Sequence, residues 1–96
     1  MEKLRKQFVD IFELSPEIAL DLPLLMLLGQ EKLELENHKG ISQFHREEIK
    51  VKVKLGYILI KGQELAIDEI NSESLSISGL ISSISYEKRK GGGSSL

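Results

Sequence analysis

The sequence contains no cysteine and no tryptophan, only 5% of its residues are aromatic, and it has two prolines. Without cysteine the chain can form neither disulfides nor a thiolate metal site, and catalysis by a thiol is excluded. No apolar run approaches the roughly 18 residues that a transmembrane helix requires. With 96 residues, of which 41% are hydrophobic and 29% charged, the chain fits one small soluble domain with a core of Leu, Ile and Val.

Residues 1–14 predict an amphipathic helix, which ends at Ser15-Pro16, rather than an export signal. Charged residues are interleaved with hydrophobic ones through this segment, whereas a secretory signal needs a continuous apolar stretch. Four apolar residues share one helical face: Leu4, Phe8, Ile11 and Phe12. This face either packs on the rest of the domain or binds a partner helix or a membrane surface.

After residue 23 the apolar residues follow the two-residue period of β-strands. The run Leu24–Leu28 is short and uninterrupted, and it predicts a strand that is buried on both faces. Asn37–Gly40 predicts a turn, because Asn bonds its own backbone and Gly adopts positive φ without steric cost. The segment Ile49–Leu55 alternates most regularly, and Leu55 is the last of its four predicted core-facing residues.

Two segments in the second half of the chain resemble each other. The pattern Ile-x-Ile-x-Gly at 58–62 recurs as Leu-x-Ile-x-Gly at 75–79. We interpret the two segments as strand–turn–strand units in which Gly62 and Gly79 lie in turns with positive φ. The predicted fold is therefore mainly β, a small antiparallel β-sandwich or roll preceded by the N-terminal amphipathic helix, with a short β-solenoid as the alternative.

The pattern divides the chain into three parts. Residues 1–20 form the N-terminal helical segment, residues 21–86 the β domain and residues 87–96 a flexible polar tail rich in Gly and Ser.

Residues able to carry catalysis are sparse. His38 and His45, with the nearby carboxylates of Glu36, Glu47 and Glu48, suggest a small metal- or ligand-binding domain, but their spacing matches no ligand motif. No serine lies in a Gly-x-Ser-x-Gly turn, and no glycine-rich loop is placed to bind phosphate. We therefore predict no enzyme activity and no cofactor, with metal or ligand binding as the alternative.

Lys50, Lys52 and Lys54 alternate with the core-facing residues of one predicted strand. They could track a phosphate backbone, but the formal net charge is −2 and the pI is near 5.7, so the chain as a whole does not attract nucleic acid or anionic lipid. A solvated lysine row that discourages edge pairing is the favoured interpretation.

Several short motifs occur along residues 21–70 in a specific order and spacing. They are Asp21-Leu22-Pro23, Gly29-Gln30, Glu36-Asn37-His38-Lys39-Gly40, Phe44, Leu59-Ile60-Lys61-Gly62 and Leu65-x-Ile67-x-x-Ile70. Together they resemble the small sporulation proteins of the YabP/YqfC family, and the helical segment before Asp-Leu-Pro is most similar to the YqfC branch. The resemblance spans Asp21 to Tyr86.

This resemblance implies a protein of endospore-forming bacteria that is made in the mother cell and is needed for spore morphogenesis, with no catalytic residues to carry over. It implies an assembly or scaffold role in the cytoplasm, at the membrane around the developing spore, beside a membrane-anchored sporulation protein. The sequence leaves a homo-oligomer open as a further partner class, whereas nucleic acid and a membrane span are not expected. Asn37, His38 and Gly40 match the family's turn motif, and we assign them a structural role.

Overall fold

The computed structural model describes residues 22–88 together with positions 6, 7 and 10. Within these residues six strands form one antiparallel sheet in the order β1-β2-β6-β5-β4-β3. The strands are β1 (Leu24–Leu28), β2 (Lys32–Glu36), β3 (Ile41–His45), β4 (Glu48–Val53), β5 (Gly56–Ile70) and β6 (Ser74–Lys88). The predicted helix face, formed by Leu4, Phe8, Ile11 and Phe12, lies outside the described residues, as do positions 89–96 of the predicted tail.

The two long central strands, β5 and β6, organise the sheet. Each has 15 residues, and their pairing shifts register at Lys61/Gly62, Gln63/Ala66 and Ile67/Glu69. Such irregularities bend a strand and increase its twist. On one side of the bend β6 pairs with β2, which carries β1, and on the other side β5 pairs with β4, which carries β3. We call these parts the β1–β2 half and the β3–β4 half.

Both halves contribute to one hydrophobic core. Its buried members are Leu33, Leu35, Ile49, Val51, Val53, Ile58, Ile60, Leu65, Leu75, Ile77 and Ile81. Leu33 of β2 and Val51 of β4 belong to this single cluster although their strands are not neighbours in the sheet. The bend therefore brings the apolar faces of the two halves together.

The two short turns at the bend supply hydrogen-bond acceptors where the β5–β6 ladder is irregular. Gly62 and Leu65 donate their backbone N–H groups to the β3–β4 turn, at Glu47 O (3.1 Å) and Arg46 O (2.8 Å). The β1–β2 turn accepts in the same way from the N–H groups of Gly79 and Ile81. Backbone donors that the bulges would leave unpaired are thus satisfied, which stabilises the bend.

The prediction of a mainly β, antiparallel domain is confirmed. The structure has one open, bent sheet where a sandwich would have two separate sheets, because β5 and β6 run without interruption through both halves. The solenoid alternative is wrong, since every pair of neighbouring strands in the described sheet is antiparallel.

Gly62 and Gly79 do not lie in turns, so that part of the prediction is wrong. Both lie inside the long strands, and the two similar segments are the two arms of one hairpin. Gly79 does have positive φ (129°). Gly62 does not; it is required because a Cβ there would lie 2.0 Å from the carbonyl oxygen of Leu80.

Leu55 departs from the predicted series of core-facing residues. Ile49, Val51 and Val53 are buried as predicted, but β4 ends at Val53, and Leu55 lies in the turn to β5 with 67% of its surface exposed. The alternation of the sequence therefore continues past the point where the strand itself ends.

Candidate functional site

His38 is buried, with 6% of its surface exposed, in the connection between β2 and β3. The backbone N–H of Gly40 donates to its Nδ1 at 2.9 Å. Because Nδ1 is an acceptor, the ring proton is on Nε2, which donates to the backbone carbonyl oxygen of Asn71 at 2.8 Å. Both ring nitrogens of His38 are therefore engaged inside the protein, and neither is available to a metal.

These hydrogen bonds link the two halves of the sheet at the end opposite the bend. Asn71 belongs to the β5–β6 turn, and its Oδ1 accepts from the N–H groups of Glu73 and Ser74. On the other side, the N–H of Lys39 donates to the carbonyl oxygen of Lys52 in β4, at 2.7 Å. The connection that contains His38 thus bridges the halves, which agrees with the structural role assigned to the Asn-His-Lys-Gly motif.

The structure does not bring the two histidines together. His45 is exposed at the far end of β3, and Ile41–His45 alone spans about 13 Å at the rise of a strand. The ring Nε2 of His45 lies 3.3 Å from the side-chain amide nitrogen, Nε2, of Gln43. Among the described residues no group of three or more His, Asp or Glu side chains could hold a metal ion, so the geometry gives no support to the metal-binding alternative.

Lys50 and Lys52 lie on β4, between β3 and β5, and Lys54 lies in the turn that follows. The row therefore does not protect a sheet edge, and that part of the interpretation is wrong. Lys50 Nζ lies 3.1 Å from Glu87 Oε1 and 4.6 Å from the centre of the Tyr57 ring. These contacts hold the charged end of the Lys50 side chain against the surface of the sheet. Lys52 is exposed near the end of the strand.

The exposed apolar strand β1 is the feature that stands out as a candidate interaction site. It forms one edge of the sheet, and all five of its residues, Leu-Leu-Met-Leu-Leu, are apolar. Met26, Leu27 and Leu28 expose 38%, 47% and 74% of their surface. Leu27 pairs with the buried Leu33 and Met26 with Glu34, so the strand presents apolar side chains on both faces of the sheet.

The surface of β2 and β6 next to β1 is polar and internally bonded. Ser76 Oγ donates to Glu34 Oε2 at 2.6 Å, and Ser78 Oγ donates to Asp68 Oδ1 at 2.9 Å. Lys32 Nζ lies 3.4 Å from Asp68 Oδ2. The outer surface of β2 and of the β6 residues that pair with it is therefore polar, and it separates the apolar edge strand from the rest of the sheet.

The opposite edge, β3, is built differently. Its register against β4 shifts between Ile41 and Gln43, and polar Ser, Gln and His side chains occupy three of its five positions. A bulge and polar residues are devices by which natural proteins prevent an edge from pairing. β1 has an unbroken register from Leu24 to Leu28 and no charged residue, so it is the edge suited to accept another strand.

The sequence predicted that Leu24–Leu28 would be buried on both faces, and this is wrong. Three of its residues are exposed and two are half-buried. An uninterrupted apolar pentapeptide does not distinguish a central strand from an edge strand. The proline at 23 and the glycine at 29 mark the limits of the strand but not its place in the sheet.

Among the described residues there is no helix with the length and hydropathy needed to cross a membrane.

Comparison with known proteins identifies the family. The chain matches the model of the YabP family over residues 23–93, a range that includes all six strands. It is also similar to a protein of Bacillus subtilis (strain 168) named "Uncharacterized protein YqfC", with 30% identity over 74 residues, or 77% of this chain and 80% of that protein. The resemblance seen in the sequence motifs is thereby confirmed, and the chain belongs to the YabP family.

Proposed function

We propose that this protein is a non-enzymatic assembly module of spore morphogenesis, and that it binds a membrane-anchored sporulation protein at the cytoplasmic, mother-cell side of the membrane around the forespore. Membership of the YabP family suggests the association with sporulation. The observation that carries the assembly role is the uncharged, regular and exposed edge strand β1. Exposed apolar surface on an unprotected edge is typical of strand-addition interfaces.

The properties of β1 define the partner segment. In strand addition the main chain supplies hydrogen bonds along the edge, and the side chains of alternate residues meet neighbours on each face of the sheet. Leu28 is exposed on the outer face, and Leu27 lies on the face of the core. We therefore expect an extended partner segment with apolar side chains on both faces and no charge opposite β1. The apolar helix face predicted at Leu4, Phe8, Ile11 and Phe12 serves in this proposal as a second contact with the same partner.

Co-purification of the tagged full chain from sporulating cells tests the proposal. We compare the wild type with Leu28→Glu on β1 and, as a matched control, Phe44→Glu on β3. Phe44 is also an exposed apolar residue of an edge strand, with 46% of its surface exposed. A charge on β1 should abolish recovery of the membrane-anchored partner, identified by mass spectrometry, whereas Phe44→Glu should retain it.

Circular dichroism confirms that both variants are folded before they are compared. Recovery of the same partner with Leu28→Glu as with the wild type would contradict the use of β1. Recovery of the wild-type chain as a monomer without a partner, or with a second copy of itself alone, would contradict the proposed function.

A further inference from the structure

The turn between β4 and β5 ends in an exposed leucine whose presence the fold does not explain. Leu55 has φ of 68°, in the left-handed region where residues other than Gly, Asn and Asp are disfavoured. It also exposes 67% of its surface. Glycine or asparagine would relieve the backbone and remove the exposed apolar side chain. A residue that is unfavourable to the folded state in two ways points to a role outside the fold.

Lysines gather at the same end of the β3–β4 half. Lys54 lies in the turn, the exposed Lys52 is two residues before it, and Lys88 pairs with Gly56 at the first position of β5. The backbone hydrogen bond from Lys39 to Lys52 brings a fourth lysine to this end. The sequence continues from Lys88 with two more basic residues, Arg-Lys.

An aromatic side chain adjoins the turn. Tyr86 is 55% exposed, and its hydroxyl donates to the carbonyl oxygen of Lys54 at 3.0 Å. We call Leu55, Lys52, Lys54, Lys88 and Tyr86 together the Leu55 tip.

The acidic residues near the Leu55 tip are few. Glu87 lies beside it and forms its ion pair with Lys50. Glu73 belongs to the β1–β2 half. Its backbone carbonyl oxygen accepts a hydrogen bond from the N–H of Asn37, which brings Glu73 close to this end. Glu36, the last residue of β2, directly precedes the connection that contains Lys39 and also lies near this end. The other seven acidic residues of the strands and their turns lie along the β1–β2 half or at the bend: Glu31, Glu34, Glu47, Glu48, Glu64, Asp68 and Glu69. The net charge of −2 therefore does not describe the local charge at the tip.

We infer that the Leu55 tip contacts the surface of an anionic lipid membrane. An apolar side chain at an exposed apex inserts at the boundary of headgroups and acyl chains, while neighbouring lysines attract anionic headgroups. Tyrosine is enriched at this interface because its ring is apolar and its hydroxyl polar. Binding of nucleic acid would use the lysines but would leave the strained, exposed Leu55 without a role. This surface is separate from β1, so it does not depend on the proposed partner.

The absence of tryptophan from the sequence permits a direct test with Leu55→Trp in the full chain. Vesicles of phosphatidylcholine with phosphatidylglycerol should shift its emission to shorter wavelength, and brominated acyl chains should quench it. Vesicles of phosphatidylcholine alone should do neither. Leu80→Trp is the matched control, because Leu80 is an exposed leucine (46%) on β6 near the bend. Its emission should not change.

Substitutions separate the apolar contribution from the charge. Leu55→Gly should fold at least as stably as the wild type yet bind the anionic vesicles about tenfold more weakly, because the apolar side chain is lost. Lys52→Gln and Lys88→Gln should each weaken binding about fivefold, in a salt-dependent manner. Leu28→Asn on β1 should bind the vesicles as the wild type does.

Three results would overturn the inference. They are unchanged vesicle binding by Leu55→Gly, emission of Leu55→Trp that is unquenched by brominated lipid while the protein sediments with the vesicles, and equal binding to neutral and anionic vesicles. Leu28→Asn alters β1 and leaves the tip intact, whereas Leu55→Gly alters the tip and leaves β1 intact, so loss of vesicle binding and loss of the proposed partner are distinguishable.

Discussion

Gly62→Ala tests the close approach of the two central strands at the bend. An alanine Cβ at this position would lie 2.0 Å from the carbonyl oxygen of Leu80, 3.0 Å from its carbonyl carbon and 3.1 Å from Cα of Ile81. All three atoms are backbone, so no side chain can move aside, and β6 itself must shift away from β5. We expect a loss of about 3 kcal/mol in the free energy of unfolding, at the upper end of the usual range for overpacking.

The matched control is Gly29→Ala in the β1–β2 turn. Gly29 has φ of 62° and no heavy atom within 4 Å of a built Cβ, so alanine there meets conformational strain alone, at about 1 kcal/mol. Urea titration followed by circular dichroism measures both variants. The expected order is a loss at Gly62 about 2 kcal/mol larger than at Gly29. A loss at Gly62 equal to or smaller than that at Gly29 would refute the close contact of β5 and β6, and with it the bent sheet.

Three further predictions concern the core, the bridge between the halves and the N-terminal segment. Ile60 is fully buried, so Ile60→Ala should cost about 2–5 kcal/mol by urea titration, and a loss below about 1 kcal/mol would mean that the register is wrong. His38→Ala leaves two backbone groups without their partner and should cost about 2–3 kcal/mol, whereas the exposed His45→Ala should change stability by less than about 0.5 kcal/mol; equal effects would contradict the bridge. Deletion of the residues before Asp21 should leave a folded domain that is recruited more weakly to the spore-facing membrane, because β1 and the Leu55 tip remain, and loss of dispersion in the proton NMR spectrum would instead assign the predicted helix face to the core.

Much of the strand pattern could be predicted because alternation reports which face of a strand is buried. In β2 and β4 apolar and charged residues alternate, and Leu33, Leu35, Ile49 and Val51 are all buried as that alternation implies. The sequence also marked Gly62 and Gly79 as special positions. It did not reveal that they lie within long strands, because a glycine required for close backbone approach and a glycine required for a turn are the same residue in sequence.

The candidate site was harder to predict because it depends on neighbours that are distant in sequence. In the described sheet β2 lies between β1 and β6, which leaves β1 at the edge. The pairing of β2 with β6 joins residues about 40 positions apart, and local sequence patterns do not encode such a contact. Leu55 continued a perfect alternation and was predicted to face the core, but the strand ended at Val53. The partner surface predicted from the sequence, on the N-terminal helix face, lies outside the described residues, and we propose β1 as a second surface from the structure.

The measurement that tests the assembly role most directly is site-specific photo-cross-linking in sporulating cells. A photoreactive phenylalanine analogue replaces Leu28 on β1 or, as the control, Phe44 on β3, in the full-length chain. We predict that irradiation joins the β1 position to a membrane-anchored sporulation protein, identified by mass spectrometry, and that the β3 position yields no such product. Equal cross-linking from both edges, or a β1 product that contains a second copy of this chain alone, would contradict the account.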